Sequence, residues 1–208
     1  DQSRDGISLL FNAHSGVLSA QSRNRGTDLG TWQIALPQME FEDVTPEGYF
    51  FRPVLWAVEK GIAVGTSKTT FSPAQTCSRA QIITFLWRAM GSPEPRTAAT
   101  VSDVKSDDYY YKAVLWAAEN NMFSGDVFLP NAPCTRAMAV EFIWEQAGRP
   151  SASGCKFIDV PSSASYAQAV AWAISNGVTY GTSNTTFSPD ANCTCEQIVT
   201  FLYRTFAE

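Results

Sequence analysis

Arg79 and Arg136 each follow a Ser or Thr that opens an apolar run, in CSRAQIITFLW and CTRAMAVEFIW. Ser or Thr in that place is a helix N-cap signal, so both arginines fall at the first helical position. The first four N–H groups of a helix have no intrahelical partner, and the helix dipole adds partial positive charge there. A planar five-donor guanidinium beside such groups suits a carboxylate or a phosphate. The third copy of the run, CTCEQIVTFLY, carries Cys195 at the same position. The competing reading is an exposed arginine repeated as a merely structural device.

Upstream of each copy stand an acid and an indole at fixed distance. Asp43, Asp103 and Asp159 are each followed thirteen residues later by Trp56, Trp116 and Trp172, and nine residues beyond these by Gly65, Gly125 and Gly181. Asp before a turn supports that turn structurally, and it can equally orient a polar ligand beside the arginines. The tryptophans lie in apolar runs (VLWAVEKG, VLWAAENN, VAWAISNG), which suits a core; a partly exposed ring would form a groove wall. Aromatics beside Asp and Arg are a means of gripping a sugar, by stacking on its apolar face and hydrogen bonding to its hydroxyls.

Enzymatic chemistry finds little support. The one histidine, His14, lies in a polar turn away from the repeats, so no base is placed to activate Cys or Ser. Three aspartates spread over three repeats do not make the facing pair of a glycosidase. No glycine-rich phosphate loop is visible, no cofactor is implied, and Cys193, Cys195 and Cys155 lack zinc-site spacing. A formal net charge of −5 without a basic run argues against nucleic acid, and no apolar stretch approaches a membrane span. The opening DQSRDG is polar and has no initiator Met, which reads as a mature fragment or a piece of a longer protein.

The elements that must position these residues repeat three times, over 41–91, 101–148 and 157–207. Each copy predicts two helices. The first carries the Trp and stops at Gly61, the Asn120–Asn121 pair or Gly177, residues suited to a left-handed C-cap. The second begins after Cys77, Cys134 or Cys193, with Gln81 and Gln197 completing capping boxes and the cysteines at staple spacing to Ile82, Ala139 and Ile198. Ile82, Ile83, Phe85, Leu86 and Trp87 leave this helix little polar face, so it belongs in a core. The expected fold is mainly α, one module over 41–207 with three central helices about a pseudo-threefold axis. Linkers 92–100 and 149–155 are Pro/Ser/Ala-rich. Residues 1–40 are non-repetitive and hold three candidate strands, around Ile7–Phe11, Gly16–Ser22 and Thr31–Leu36. They read either as a small sheet packed on the rest or as the cut end of a neighbouring domain.

Phe-x-Asp-Val, Trp-Ala, Gly-Ile-x-x-Gly, Phe-x-Pro and Thr-Arg-Ala before an apolar helix, in that order, resemble the S-layer homology motif. The resemblance covers 41–207, and three tandem motifs are that family's usual module. It implies non-covalent anchoring of exported proteins to the bacterial cell surface, without catalysis. The implied ligand is a secondary cell-wall polysaccharide, often carrying a pyruvate ketal, held in grooves between motifs. On that basis Arg79 and Arg136 become anion contacts, while Asp43, Asp103, Asp159, Trp56, Trp116, Trp172, Gly65, Gly125 and Gly181 belong to the grooves. The alternative is a protein-interaction or purely structural helical module with degenerate grooves. Cys195 in place of arginine and the shortened second loop, GDVFLP, leave at most two competent grooves. The recurring Cys77, Cys134 and Cys193 are expected to be reduced and spaced apart. Cys155 and Cys195, outside that pattern, are expected to approach each other and form a disulfide, which an exported location permits.

Overall fold

A computed structural model describes the backbone of residues 7–12, 17–22 and 32–35, and residues 41–96 and 100–207. The chain divides into two compact units, Asp1–Glu40 and Phe41–Glu208. In the first, strands β1 (Ile7–Asn12), β2 (Val17–Ser22) and β3 (Trp32–Ala35) form an antiparallel sheet in the order β1-β2-β3. Its register pairs Leu9 with Ala20 and Leu18 with Ile34. These strands overlap the three candidates; His14 lies outside the described residues.

The second unit contains six helices: α1 (Phe51–Glu59), α2 (Arg79–Ala89), α3 (Tyr111–Glu119), α4 (Arg136–Gln146), α5 (Ala167–Ser175) and α6 (Cys195–Phe206). Local chemistry explains their ends. Ser78 Oγ accepts from Gln81 N–H at 3.2 Å, and Gln81 Oε1 accepts from Ser78 N–H at 2.8 Å, which is a complete capping box. Thr135 Oγ1 accepts from Met138 N–H at 3.2 Å without a reciprocal glutamine. The helices α1, α3 and α5 end where Gly61, Asn121 and Gly177 take positive φ (66°, 55° and 68°). The next residue's N–H then reaches back to Ala57, Ala117 or Ala173 at 2.7–3.0 Å, a Schellman closure.

Packing joins neighbours in a ring. Each second helix lies on the first helix of the following motif: α2 on α3, α4 on α5, and α6 back on α1. The three second helices also touch one another. Buried Ile82, Ile83 and Leu86 of α2, Val140 and Ile143 of α4, and Ile198, Val199 and Leu202 of α6 fill the centre. Fully burying each such side chain contributes about 1.5–3 kcal/mol. A single motif would leave both its helices without their main partners, and the three motifs together make one compact unit.

The axis is made of backbone. Cys77 N–H donates to Cys193 O at 2.9 Å, Cys134 N–H to Cys77 O at 2.9 Å, and Cys193 N–H to Cys134 O at 2.8 Å. Three isolated bridges, Ser78 with Pro133, Thr135 with Asn192 and Thr194 with Thr76, repeat the same pairing at each junction. The recurring cysteines are buried free thiols, but they are not spaced apart. Their backbones join each other through the three hydrogen bonds at the axis. The expected Cys155–Cys195 disulfide is also absent; both are free thiols. Cys195 is turned to the axis, where its sulfur meets Cys77. Cys155 instead lines a cleft with Val160, Ala167 and Gln168, at the start of α5.

Candidate functional site at the motif junctions

Each junction is built from the start of a second helix and the Phe-x-Pro loop of the next motif. Arg79 N–H donates to Ala132 O at 2.9 Å and Ala80 N–H to Pro130 O at 3.0 Å. Arg136 and Ala137 repeat this on Ala191 and Pro189, and Cys195 and Glu196 on Gln75 and Pro73. With Ser78 N–H held by Gln81 Oε1 and Gln81 N–H by Ser78 Oγ, all four leading amides of α2 are occupied. The expected anion site on free helix amides is therefore corrected. Those amides dock the loop and are not free to meet an anion.

The aspartates hold the same loops. Asp43 accepts from Phe71 and Ser72 N–H at 2.8 and 2.7 Å, and Asp103 from Phe128 and Leu129 at 2.8 and 2.7 Å. Asp159 accepts from Phe187 at 2.9 Å and Ser188 at 2.7 Å. The second residue of each pair, Ser72, Leu129 or Ser188, has φ near 60°, a strained conformation that two charge-assisted bonds help maintain. Burial raises the Asp103 carboxyl, but the Phe128 and Leu129 amides and the nearby Arg79 together hold it below the usual range. Burial likewise raises Asp159, and the Phe187 and Ser188 amides with Arg136 hold it low.

The two arginines differ. Arg136 is 4% exposed. Its Nε donates to Phe187 O at 2.9 Å and its Nη1 to Gln197 Oε1 at 3.3 Å, while the guanidinium lies 4.9 Å from the Phe187 ring centre and 5.7 Å from Phe201. It ties three segments of the core together. Arg79 is half-buried, with its guanidinium 4.9 Å from the Phe128 ring centre. Its Nε is buried without a hydrogen-bond partner, and among the described residues the ion pairs are Lys112–Glu94 and Arg149–Glu145, neither involving it. Burial lowers the pKa of both guanidinium groups.

The tryptophans stand elsewhere. Trp116 and Trp172 are 6% and 7% exposed, and Trp56 packs edge-on against Tyr203 at 5.7 Å. Trp116 borders a cleft of ≈ 460 Å³ with Pro93, Glu94 and Arg96, beyond the C-terminal end of α2. Trp56 borders another of ≈ 490 Å³ with Lys60, Arg88 and Phe206, at the far end of α6. An eleven-residue helix is about 16 Å long, so the tryptophans and Arg79 do not share one groove. The glycines serve the loops. A Cβ on Gly65 would sit 2.3 Å from the Phe41 ring, and one on Gly181 2.4 Å from Phe157; Gly125 has φ +88° in open space.

Two groups at the junctions were not singled out from the sequence. Phe128 and Phe187 supply the ring beneath each guanidinium, which their recurrence in Phe-x-Pro signalled. Tyr49 and Tyr109, 57% and 63% exposed, recur six residues after Asp43 and Asp103. Tyr49 Oη donates to Glu196 Oε1 at 3.0 Å across the junction that closes the ring. Among the described residues no cluster of His, Cys, Asp and Glu could hold a metal ion, and no helix is long and apolar enough to cross a membrane.

Comparison with known proteins agrees with this geometry. The chain is 29% identical over 168 residues to the Surface-layer 125 kDa protein of Lysinibacillus sphaericus, covering 76% of this chain and 14% of that protein. It is 30% identical over 168 residues to an Endoglucanase of Bacillus sp. (strain KSM-635), covering 76% and 18%. It is 27% identical over 151 residues to an Amylopullulanase of Thermoanaerobacterium thermosulfurigenes, covering 68% and 8%. The chain thus spans less than a fifth of the length of these relatives. S-layer homology domains are non-catalytic and generally anchor proteins non-covalently to the bacterial cell wall, by binding secondary cell-wall polysaccharide. The family model of the S-layer homology domain matches residues 40–83, 102–139 and 156–197, the three segments that build the ring, and the chain belongs to that family.

Proposed function

We propose that this module holds a larger parent protein on the bacterial surface by binding an anionic wall polysaccharide, with Arg79 as the principal anion contact. The observation that supports this is the state of Arg79: a half-buried cation over an aromatic ring, with a buried Nε that has no partner. The Asp103 carboxylate nearby is already taken by two loop amides, so the guanidinium fork is left for a ligand carboxylate such as a pyruvate ketal. Exposed Tyr109 lies in the same second motif and offers a face on which a sugar ring can stack. Arg136, Asp43, Asp103 and Asp159 act as supports that hold the loops, and Arg136 is too enclosed to meet a polymer.

The net charge of −5 gives no general attraction to an anionic chain, so recognition is local to the junction. The test is a pull-down on purified cell walls, before and after chemical removal of their polysaccharide, with wild type and Arg79→Ala. Binding lost on stripping and weakened by Arg79→Ala is expected. Binding that survives both would overturn the proposal and favour a protein partner.

A further inference from the structure

The departure of the third motif has a chemical consequence at the axis. In every junction the first residue of a second helix neighbours the axial cysteine of the next motif: Arg79 lies near Cys134, and Arg136 near Cys193. In the third junction that first residue is Cys195 and the axial cysteine is Cys77. Substitution of arginine by cysteine therefore sets two thiols side by side, in the one junction that closes the ring from the last motif to the first.

The backbone holds them there. Thr76 and Thr194 form an antiparallel bridge flanked by Cys77 N–H to Cys193 O and Cys195 N–H to Gln75 O, both at 2.9 Å. This is a non-hydrogen-bonded pair, and Cys77 and Cys195 each follow one of its two members, so Cys77 stands opposite Cys193 and diagonal to Cys195. Side chains alternate across such a bridge, so both thiols leave on the face away from Thr76 and Thr194. Cys77 is 0% and Cys195 5% exposed, and their thiols lie close enough to interact. That contact pushes Cys77 up and holds Cys195 below the ordinary thiol range, so Cys195 is the better nucleophile.

We propose that Cys77 and Cys195 are a redox pair that closes to a disulfide, joining the first motif to the third and completing the ring covalently. A small disulfide oxidant supplies the chemistry. The Cys195 thiolate attacks one of its sulfurs, forming a mixed disulfide and releasing one small thiol. Cys77, deprotonated by that leaving thiolate, then displaces the second. Two protein thiols become one protein disulfide, and the oxidant is reduced to two thiols. Because both sulfurs are buried, the exchange takes place while the chain folds or when the α6 start lifts from the 73–75 loop. Once formed, the bond is shielded from reductant. It does not depend on which ligand the module binds.

The test refolds the full chain with a mixture of oxidised and reduced glutathione, and in parallel with excess dithiothreitol. Remaining thiols are then alkylated under denaturing conditions and the peptides mapped by mass spectrometry without reduction. A cross-link between the peptides holding Cys77 and Cys195 is expected in wild type and in Cys155→Ser. Locking a loop of more than a hundred residues is expected to raise Tm by on the order of 10 °C over the reduced protein. A cross-link to Cys155, Cys134 or Cys193 instead, or alkylation of all five thiols after oxidative refolding, would overturn the proposal. Cys195→Ser, which keeps a small side chain at that place, is expected to retain the fold and lose the Tm difference; a difference that persists would equally overturn it.

Discussion

Arg136→Ala separates support from recognition. The wild-type guanidinium is 96% enclosed, holds Phe187 O through Nε at 2.9 Å and Gln197 through Nη1 at 3.3 Å, and lies on two phenylalanine rings. Losing a hydrogen bond from a charged donor costs roughly 1.5–3 kcal/mol, and a desolvated cation–π contact about 1–2 kcal/mol. Relief of burying the charge offsets part of this, since Nη2 has no partner and burial already lowers the pKa of the group. The net expectation for Ala is a loss of about 2–4 kcal/mol, or roughly 5–15 °C in Tm for a chain of this size. Arg136→Met fills most of the volume and relieves the buried charge, so it is expected to lose much less. Cys195 at the equivalent place already shows that a junction folds without arginine. Urea and thermal unfolding give the stability, and wall binding is scored per folded molecule. An Arg136→Ala protein with wild-type Tm and no wall binding would refute this assignment and make Arg136 a ligand group.

Asp103→Ala is expected to cost about 2–4 kcal/mol by releasing two charge-assisted amide bonds, read as a lower urea midpoint with an unchanged slope. Asp103 and Asp159 have depressed carboxyl pKa values, so their stabilisation is complete above the unfolded value of about 4 and disappears as pH falls through the folded value. Tm is accordingly expected to be flat from pH 5 to 8 on their account and to fall below about pH 4; Asp103→Asn, measured over the same range, is expected to show a smaller acid drop from a lower plateau. A polypeptide of residues 41–91 is expected to show no cooperative unfolding transition, because α1 docks on α6 and α2 on α3; a sharp two-state melt as a monomer would contradict the ring.

What the sequence made legible was local. Ser78 with Gln81, the left-handed residues Gly61, Asn121 and Gly177, and the apolar runs after each cap all act within a few residues, so their signals survive without tertiary context. The partner of each helix did not show, because α2 chooses α3 over α1 through loop geometry that no periodicity encodes. The helix-start argument expected free amides, whereas the Phe-x-Pro loop of the next motif occupies them. Recurrence treated Arg79 and Arg136 as equals, but the third motif packs Gln197 and Phe201 against Arg136 and encloses it. Pairing Cys155 with Cys195 followed from both lying outside the repeat. The register of the bridges instead sets Cys195 on the same face as Cys77, diagonal to it across the Thr76–Thr194 bridge.

The central claim is that one arginine at the first junction carries anion recognition. Its most direct test is the affinity of the purified module for isolated wall polysaccharide, by titration calorimetry, for wild type, Arg79→Ala and Arg136→Met. A hydrogen bond to a charged partner contributes roughly 1.5–3 kcal/mol, so Arg79→Ala is expected to raise Kd about 10- to 100-fold, with Tm lowered by only about 2–4 °C through the lost Phe128 contact, and Arg136→Met to leave Kd near wild type. Equal affinity of Arg79→Ala and wild type for the same polysaccharide would contradict the account.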